Sequence, residues 1–401
     1  MITIQNKTTE RTMTSNSTRI LMLVAQLPID PHRITGGVHS AVMNLLSGFR
    51  QQPIQLRVVS LSKEVQQPTI IRFADHIEII YEPEGTWPLH SLNYLFHGRK
   101  ILRRHIKAFQ PDLVHYQNGN TVLLAGLGIT GKIPVLLTIH GTSWDDMRFK
   151  KTKREKITWW FNGWINKLLL PKQLIVLSEI AKKRQPLASL NFIDIIPNAL
   201  NPSFFQLPMK SKTNNRLLFI GVINDRRNLM LILNTVQQLR NQGKMYTLDV
   251  LGGFENAFYE QQIRNRLASE AMESFVTLHG WSDQQKVREY LAASDILVMA
   301  SKIETLPMVI AEAQAAGTVV VSSDVGGISS MIQHGQNGFL YPLDEPAQLN
   351  EILSSLHDQF DRLHAVAQDA RSHAIRQYEA KTVAQKTISF YNNIIHNNKQ
   401  H

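Results

Sequence analysis

Short, largely apolar, strand-like runs recur along this chain, with loops and stretches of helical spacing between them, and the series occurs twice. The first series has runs at residues 20–24, 56–61, 77–81, 113–115, 135–139, 174–177 and 193–196. The second has runs at 217–221, 248–251, 276–278, 296–300 and 319–322. A strand that is apolar at every position must be covered on both faces, and a parallel sheet flanked by helices provides that cover. Between the runs, residues 38–49 carry a helical pattern, and Val287, Tyr290 and Leu291 show the i, i+3, i+4 spacing of another helix. The expectation is an α/β protein of two Rossmann-like, doubly wound domains facing a cleft. Its ligand-binding residues should lie in loops just beyond the carboxyl ends of the strands.

At 401 residues the chain is long enough for two cores of ordinary size. Residues 1–18 are rich in Thr, Ser and Asn and lack the apolar stretch of a signal peptide, so a loose tail is expected there. The polar stretch 198–215, with Pro202 and Pro208, is the expected linker. The reading is an N-terminal domain over 19–200, a C-terminal domain over 201–375 and a terminal helix over 376–401 that packs back towards the first domain.

The charge is uneven. Residues 1–200 hold 25 Lys and Arg against 13 Asp and Glu, whereas residues 201–401 hold 18 against 19, so the net excess of +11 lies entirely in the first half. That asymmetry suits an anionic partner for the first domain. Residues 150–164 join a basic run to Trp159, Trp160, Phe161 and Trp164, and residues 99–107 carry Arg103 and Arg104. Such segments suit an anionic membrane surface. No run approaches the roughly 18 apolar residues that span a bilayer, so the expected contact is peripheral, at the inner face of the membrane of a cytoplasmic protein. The absence of cysteine excludes disulfides, thiolate metal sites and cysteine nucleophiles.

The densest motif is residues 301–312, Ser-Lys-Ile-Glu-Thr-Leu-Pro-Met-Val-Ile-Ala-Glu, directly after the run 296–300. Pro307 suits the first turn of a helix, where its missing N–H leaves nothing unsatisfied. Thr305 and Leu306 then offer backbone N–H groups at the positive end of that helix, a setting for phosphate. Glu304 precedes the helix and Glu312 lies further along it. Gly36 and Gly37, between the first run and its helix, let the backbone approach a ligand closely. His140 follows the run 135–139 and precedes Gly141, so its imidazole is expected to project into the cleft.

Glu304 to Glu312, with Gly280, Asp295 and Ser301 ahead of it and Gly317, Gly326-Gly327 and Asn337-Gly338 behind, resembles the signature of retaining glycosyltransferases of family 4, which have the GT-B fold. The likeness takes in Gly36-Gly37, Asp112 to His115, His140-Gly141 and Pro197-Asn198, and so covers nearly the whole chain. It implies transfer of a sugar, with retention of configuration, from a nucleotide diphosphate donor to a glycan, lipid-linked or small-molecule acceptor, in cell-surface polysaccharide or glycolipid synthesis.

Residue by residue, the resemblance implies that His140 and Glu304 are catalytic and contact the transferred sugar, and that Glu312 meets the ribose. Arg227, with Arg226 beside it and the backbone N–H groups of Gly37, Thr305 and Leu306, would meet the diphosphate, with Gly36 in the same loop as Gly37. His115 and Asn118 are the acceptor-side candidates. The chain has no Asp-x-Asp triplet and no His cluster with zinc-like spacing, so no metal and no cofactor is expected. Two positions depart from the family: Gln117 stands where a second His is common, and Val222 stands where an Arg is common. Val222 supports an alternative, a catalytically degenerate GT-B homologue acting as a partner subunit, against which the intact Glu304, Glu312 and His140 speak. A nucleic-acid partner, suggested by charge alone, is not expected.

Overall fold

The computed structural model describes residues 17–25, 27–30, 37–86, 93–117, 121–126, 128–140, 169–183, 185, 190–210 and 213–400. The chain divides into two compact units: Met1–Ala199 together with Ala380–His401, and Leu200–Glu379. The strands are β1 Thr18–Ala25, β2 Ile54–Ser62, β3 Thr69–Ala74, β4 Ile77–Pro83, β5 Leu113–Gln117, β6 Val135–Ile139, β7 Gln173–Val176 and β8 Phe192–Ile195 in the first unit. In the second they are β9 Arg216–Ile220, β10 Thr247–Leu251, β11 Val276–Gly280, β12 Ile296–Met299, β13 Val319–Ser323 and β14 Phe339–Tyr341. The α-helices are α1 Gly37–Phe49, α2 Arg99–Phe109, α3 Thr121–Leu124, α4 Glu179–Lys183, α5 Leu229–Asn241, α6 Ala257–Ser269, α7 Gln284–Ala293, α8 Met308–Ala316, α9 Ala347–Leu356, α10 Phe360–Tyr378 and α11 Ala380–Lys399.

The first sheet runs β3-β4-β2-β1-β5-β6-β7-β8 and the second β11-β10-β9-β12-β13-β14. Neighbours are parallel throughout, apart from the antiparallel pair β3 and β4. The expected α/β class of two doubly wound units is what the chain forms. β1 shows why its run is unbroken: Ile20, Met22 and Val24 enter one apolar cluster and Leu21 and Leu23 another, because successive side chains leave opposite faces. β3 and β14 fall outside the sequence expectation. β3 is half exposed, so its pattern lacks the continuous apolar signal, and β14 has only three residues.

Strand order also fixes where ligands gather. In each sheet the winding reverses once, between β1 and β5 and between β9 and β12, so the loops leaving those neighbouring strands diverge and open a crevice at their carboxyl ends. The loops after β9 and β12 carry Arg227 and Glu304. In the first unit, Gln117 ends β5 and His140 follows the adjacent β6.

The terminal helix differs in detail from expectation. α10 continues to Tyr378, Glu379 is extended with ψ 132°, and α11 begins at Ala380 as part of the first unit. Val383, Ala384, Tyr391 and Ile394 of α11 complete the core beneath β1 and α1. A Cβ at Gly48 in α1 would lie 2.1 Å from the Ala380 carbonyl oxygen, so only glycine permits this crossing. Among the described residues, no helix is long and apolar enough to cross a membrane.

Candidate active site

The turn after β9 is built by Asn224, a buried side chain whose Oδ1 accepts from the Arg227 N–H at 2.9 Å. This bond holds Arg227 just ahead of α5. Its Nη1 donates to Glu304 Oε1 on the loop after β12, with the Glu304 side chain only 7% exposed and that of Arg227 17%. Burial lowers the Arg227 pKa from its ordinary value, and the Glu304 charge opposes that shift. Its Nε is buried with no hydrogen-bond partner among the described residues, an unspent donor. The two loops are also joined by the Lys302 N–H, which donates to the Arg226 carbonyl at 2.9 Å. Lys302 Nζ meets Asp225 at 2.8 Å nearer the surface. Arg227 and Glu304, predicted separately for a diphosphate and a sugar, are thus brought into direct contact.

The Glu304 backbone is fixed by a glycine. Gly326 has φ +59°, and a Cβ there would lie 1.7 Å from the Glu304 carbonyl oxygen, so the loop after β13 packs on it as only glycine allows. Beyond Glu304, Thr305 is half-buried and Leu306 buried. Pro307 does not enter the helix: it is the N-cap, with φ −72° and ψ 112°, and makes no side-chain capping bond. α8 therefore starts at Met308, one residue later than expected. The N–H groups left without intrahelical partners are those of Met308 and Val309, since the Ile310 N–H already bonds the Pro307 carbonyl at 3.0 Å. Glu312 sits farther along α8, half-buried and with no hydrogen-bond or ion-pair partner among the described residues. Burial pushes its carboxyl up to about 7.

In the first unit the expected histidines form a buried polar chain. His115 is fully buried, its Nδ1 2.6 Å from the Tyr391 hydroxyl on α11 and its Nε2 2.7 Å from Thr138 Oγ1. Burial, reinforced by the His140 charge, lowers its pKa to about 3, so it is neutral at ordinary pH. With both nitrogens engaged inside the unit, His115 braces the core and presents no face to an acceptor. His140 Nε2 lies 2.9 Å from Gln117 Oε1, and burial lowers its pKa to about 4, opposed by the Asn198 side chain. Its Nδ1 is buried too. The imidazole nitrogens are therefore turned inward, contrary to the expected projection, because Gln117 at the end of β5 captures the ring. Gly37 is the exposed first residue of α1. Gly36, Asn118, Gly141 and the basic and aromatic segment 150–164 lie outside the described residues.

Sequence reasoning missed Gln117 as a partner of His140, and it missed Thr138, Tyr391 and the Glu304 to Arg227 bond. The alternation of β5, which places His115 and Gln117 on one face, was the available signal for the first of these. Nothing local pairs residue 115 with residue 391.

Comparison with known proteins gives two family matches: residues 35–204 match the family described as Glycosyltransferase Family 4, and residues 214–359 match Glycosyl transferases group 1. The amylovoran biosynthesis glycosyltransferase AmsK of Erwinia amylovora is 26% identical over 199 residues, 48% of this chain and 47% of that protein. The chain spans about half the length of the first curated relatives it matches. The phosphatidyl-myo-inositol mannosyltransferase of Mycobacterium leprae is 25% identical over 387 residues, 90% of this chain and 94% of that one. Among solved structures, sucrose-phosphate synthase from Thermosynechococcus elongatus superposes with a TM-score of 0.76 at 17% identity, covering 95% of this chain and 100% of that one. Anabaena Alr3699/HepE, solved in complex with UDP and glucose, gives 0.70 at 16% identity, covering 94% and 100%. The shared fold is GT-B.

Proposed function

The chain belongs to glycosyltransferase family 4, and on that footing we propose that it transfers a sugar from a nucleotide diphosphate donor, with retention of configuration, to a glycan, lipid-linked or small-molecule acceptor. The observation that carries this reading is the buried Arg227 and Glu304 pair at the winding reversal of the second sheet, beside the uncapped start of α8. A departing nucleoside diphosphate gains negative charge as the glycosidic bond breaks. A fixed guanidinium and oriented backbone dipoles in a largely dry site stabilise that charge without reorganising. Arg227 serves the diphosphate and Glu304 the transferred sugar. Arg226 lies in the same turn as a second cation, and the Thr305 and Leu306 backbone leads into the helix.

Glu312 fits the ribose. A half-buried carboxyl without a partner is completed by two hydroxyl donors, and their bonds favour its ionised form. His140 is assigned to the transferred sugar by its place in the family pattern. A neutral ring with both nitrogens turned inward is not placed to deliver a proton. Support for HepE-like donor chemistry comes from a structure that holds UDP and glucose. We also assign an anionic membrane surface to the exposed cationic side of α2, which carries Lys100, Arg103 and Lys107.

One observation favours the degenerate-homologue reading: Val222 is 52% exposed after β9 and supplies no cation there. A thermal-shift screen against nucleotide sugars with different bases tests the enzyme reading. Stabilisation by one donor and by its matching nucleoside diphosphate is expected, and a flat response across the panel would overturn it.

A further inference from the structure

The interior of the first unit contains a polar chain that runs from His140 through Gln117 to His115, and the proposed function gives Gln117 no role. We infer that Gln117 is a positioning residue that fixes both the tautomer and the orientation of the His140 ring. The inference deepens the proposed function and rests on its placing of His140 beside the transferred sugar.

Gln117 ends β5 and is 2% exposed. Its amide orientation follows from its neighbours, since Met22 Sδ lies 3.8 Å and His115 Nε2 3.4 Å from one end. A thioether only accepts, so the amino group faces Met22 and His115, and Oε1 faces His140. An amide oxygen cannot donate. The 2.9 Å contact therefore requires His140 to carry its proton on Nε2, which leaves a lone pair on Nδ1, a buried atom with no hydrogen-bond partner among the described residues.

Two features make this a lock rather than a chance contact. The amide does not titrate, so its hydrogen-bond sense is the same at every pH, whereas an imidazole at 117 would accept or donate according to its own tautomer. The amide is itself held: its amino end abuts His115, which is pinned by Thr138 Oγ1 at 2.7 Å and by the Tyr391 hydroxyl at 2.6 Å. The orientation of His140 is thereby set from α11, far away in sequence.

The test uses the full chain labelled with 15N-histidine, with the His140 ring signals assigned by comparison with His140→Asn. Two-bond proton–nitrogen correlation spectra across pH 5 to 8 report the tautomer. The wild type is expected to show His140 as the Nε2–H form throughout. Gln117→Leu, similar in size but unable to accept, should populate the Nδ1–H form. Gln117→Glu keeps an acceptor oxygen and should retain the Nε2–H form while its charge moves the His140 titration upward, which also covers the case that Gln117→Leu does not fold. A His140 spectrum and titration unchanged in the folded variants would overturn the inference.

Turnover is read separately. Gln117→Leu should lower kcat by about tenfold with little change in donor KM, the effect of one lost neutral hydrogen bond. If the tautomer shifts and kcat does not, the positioning role stands and the placing of His140 at the sugar falls.

Discussion

Replacing Arg227 by methionine separates its two assigned roles. The substitution keeps much of the aliphatic bulk and removes the cation facing Glu304, whose side chain is 7% exposed. Stranding one member of a buried ion pair costs about 3 to 5 kcal/mol, and the lower figure suits a pair whose arginine is still 17% exposed. At about 2 to 4 °C per kcal/mol for a domain of this size, the second unit should melt about 6 to 12 °C earlier. Adding Glu304→Gln removes the stranded charge and should restore about 2 kcal/mol, since neighbours in one network are not additive. Binding should follow a different order. Calorimetric titration with the nucleoside diphosphate that best stabilises the wild type should show affinity about 10- to 100-fold weaker in Arg227→Met, the worth of one charge-assisted bond. In Glu304→Gln it should be equal or tighter, because the guanidinium is released to the phosphates. Wild-type affinity in Arg227→Met, with the predicted loss of stability, would refute the assignment of Arg227 to the diphosphate and leave it a structural residue.

Three other outcomes follow from the geometry. His115 and His140 have folded pKa values depressed to about 3 and 4 from 6.5, so their contribution to stability is complete above pH 6.5 and is lost as the pH falls. Between pH 6 and 5 denaturant titration should show the first unit weaken by about 2 to 3 kcal/mol, at roughly 1.4 kcal/mol per pH unit per histidine, and His140→Asn should halve that slope; a flat profile would contradict the burial of both rings. Gly326→Ala sets a methyl group 1.7 Å from the Glu304 carbonyl at φ +59° and should cost about 2 to 4 kcal/mol while displacing Glu304, read as a lower melting point together with lost turnover. Reversing charge at Lys100, Arg103 and Lys107, while sparing Arg104 because it pairs with buried Glu82 at 2.5 Å, should abolish sedimentation with anionic vesicles at low salt; unchanged sedimentation would remove α2 from the membrane assignment.

The fold was largely legible because its signal is one-dimensional. A strand such as β1, buried on both faces, must be apolar at consecutive positions, and each such run marks a strand of a covered parallel sheet. β3 escaped because an edge strand with one wet face alternates, and β14 because three residues give no period. The site was legible where a motif is local, as in residues 301–312. It was less so where side chains from distant strands meet. The contact of Arg227 with Glu304 depends on β9 and β12 being neighbours, although β10 and β11 intervene in sequence. The inward turn of His140 depends on Gln117 in the adjacent strand. The Pro307 boundary moved by one residue because a proline with ψ near 112° fits an N-cap as readily as the first turn.

The central claim is that Glu304 acts on a sugar leaving a nucleoside diphosphate. The most direct measurement is the rate at which nucleoside diphosphate is released from the donor chosen by the thermal-shift screen, in wild type and in Glu304→Ala, without added acceptor. A slow release by the wild type that falls at least 100-fold in the variant, with donor binding retained, is the predicted result. Equal rates in the two proteins would contradict it.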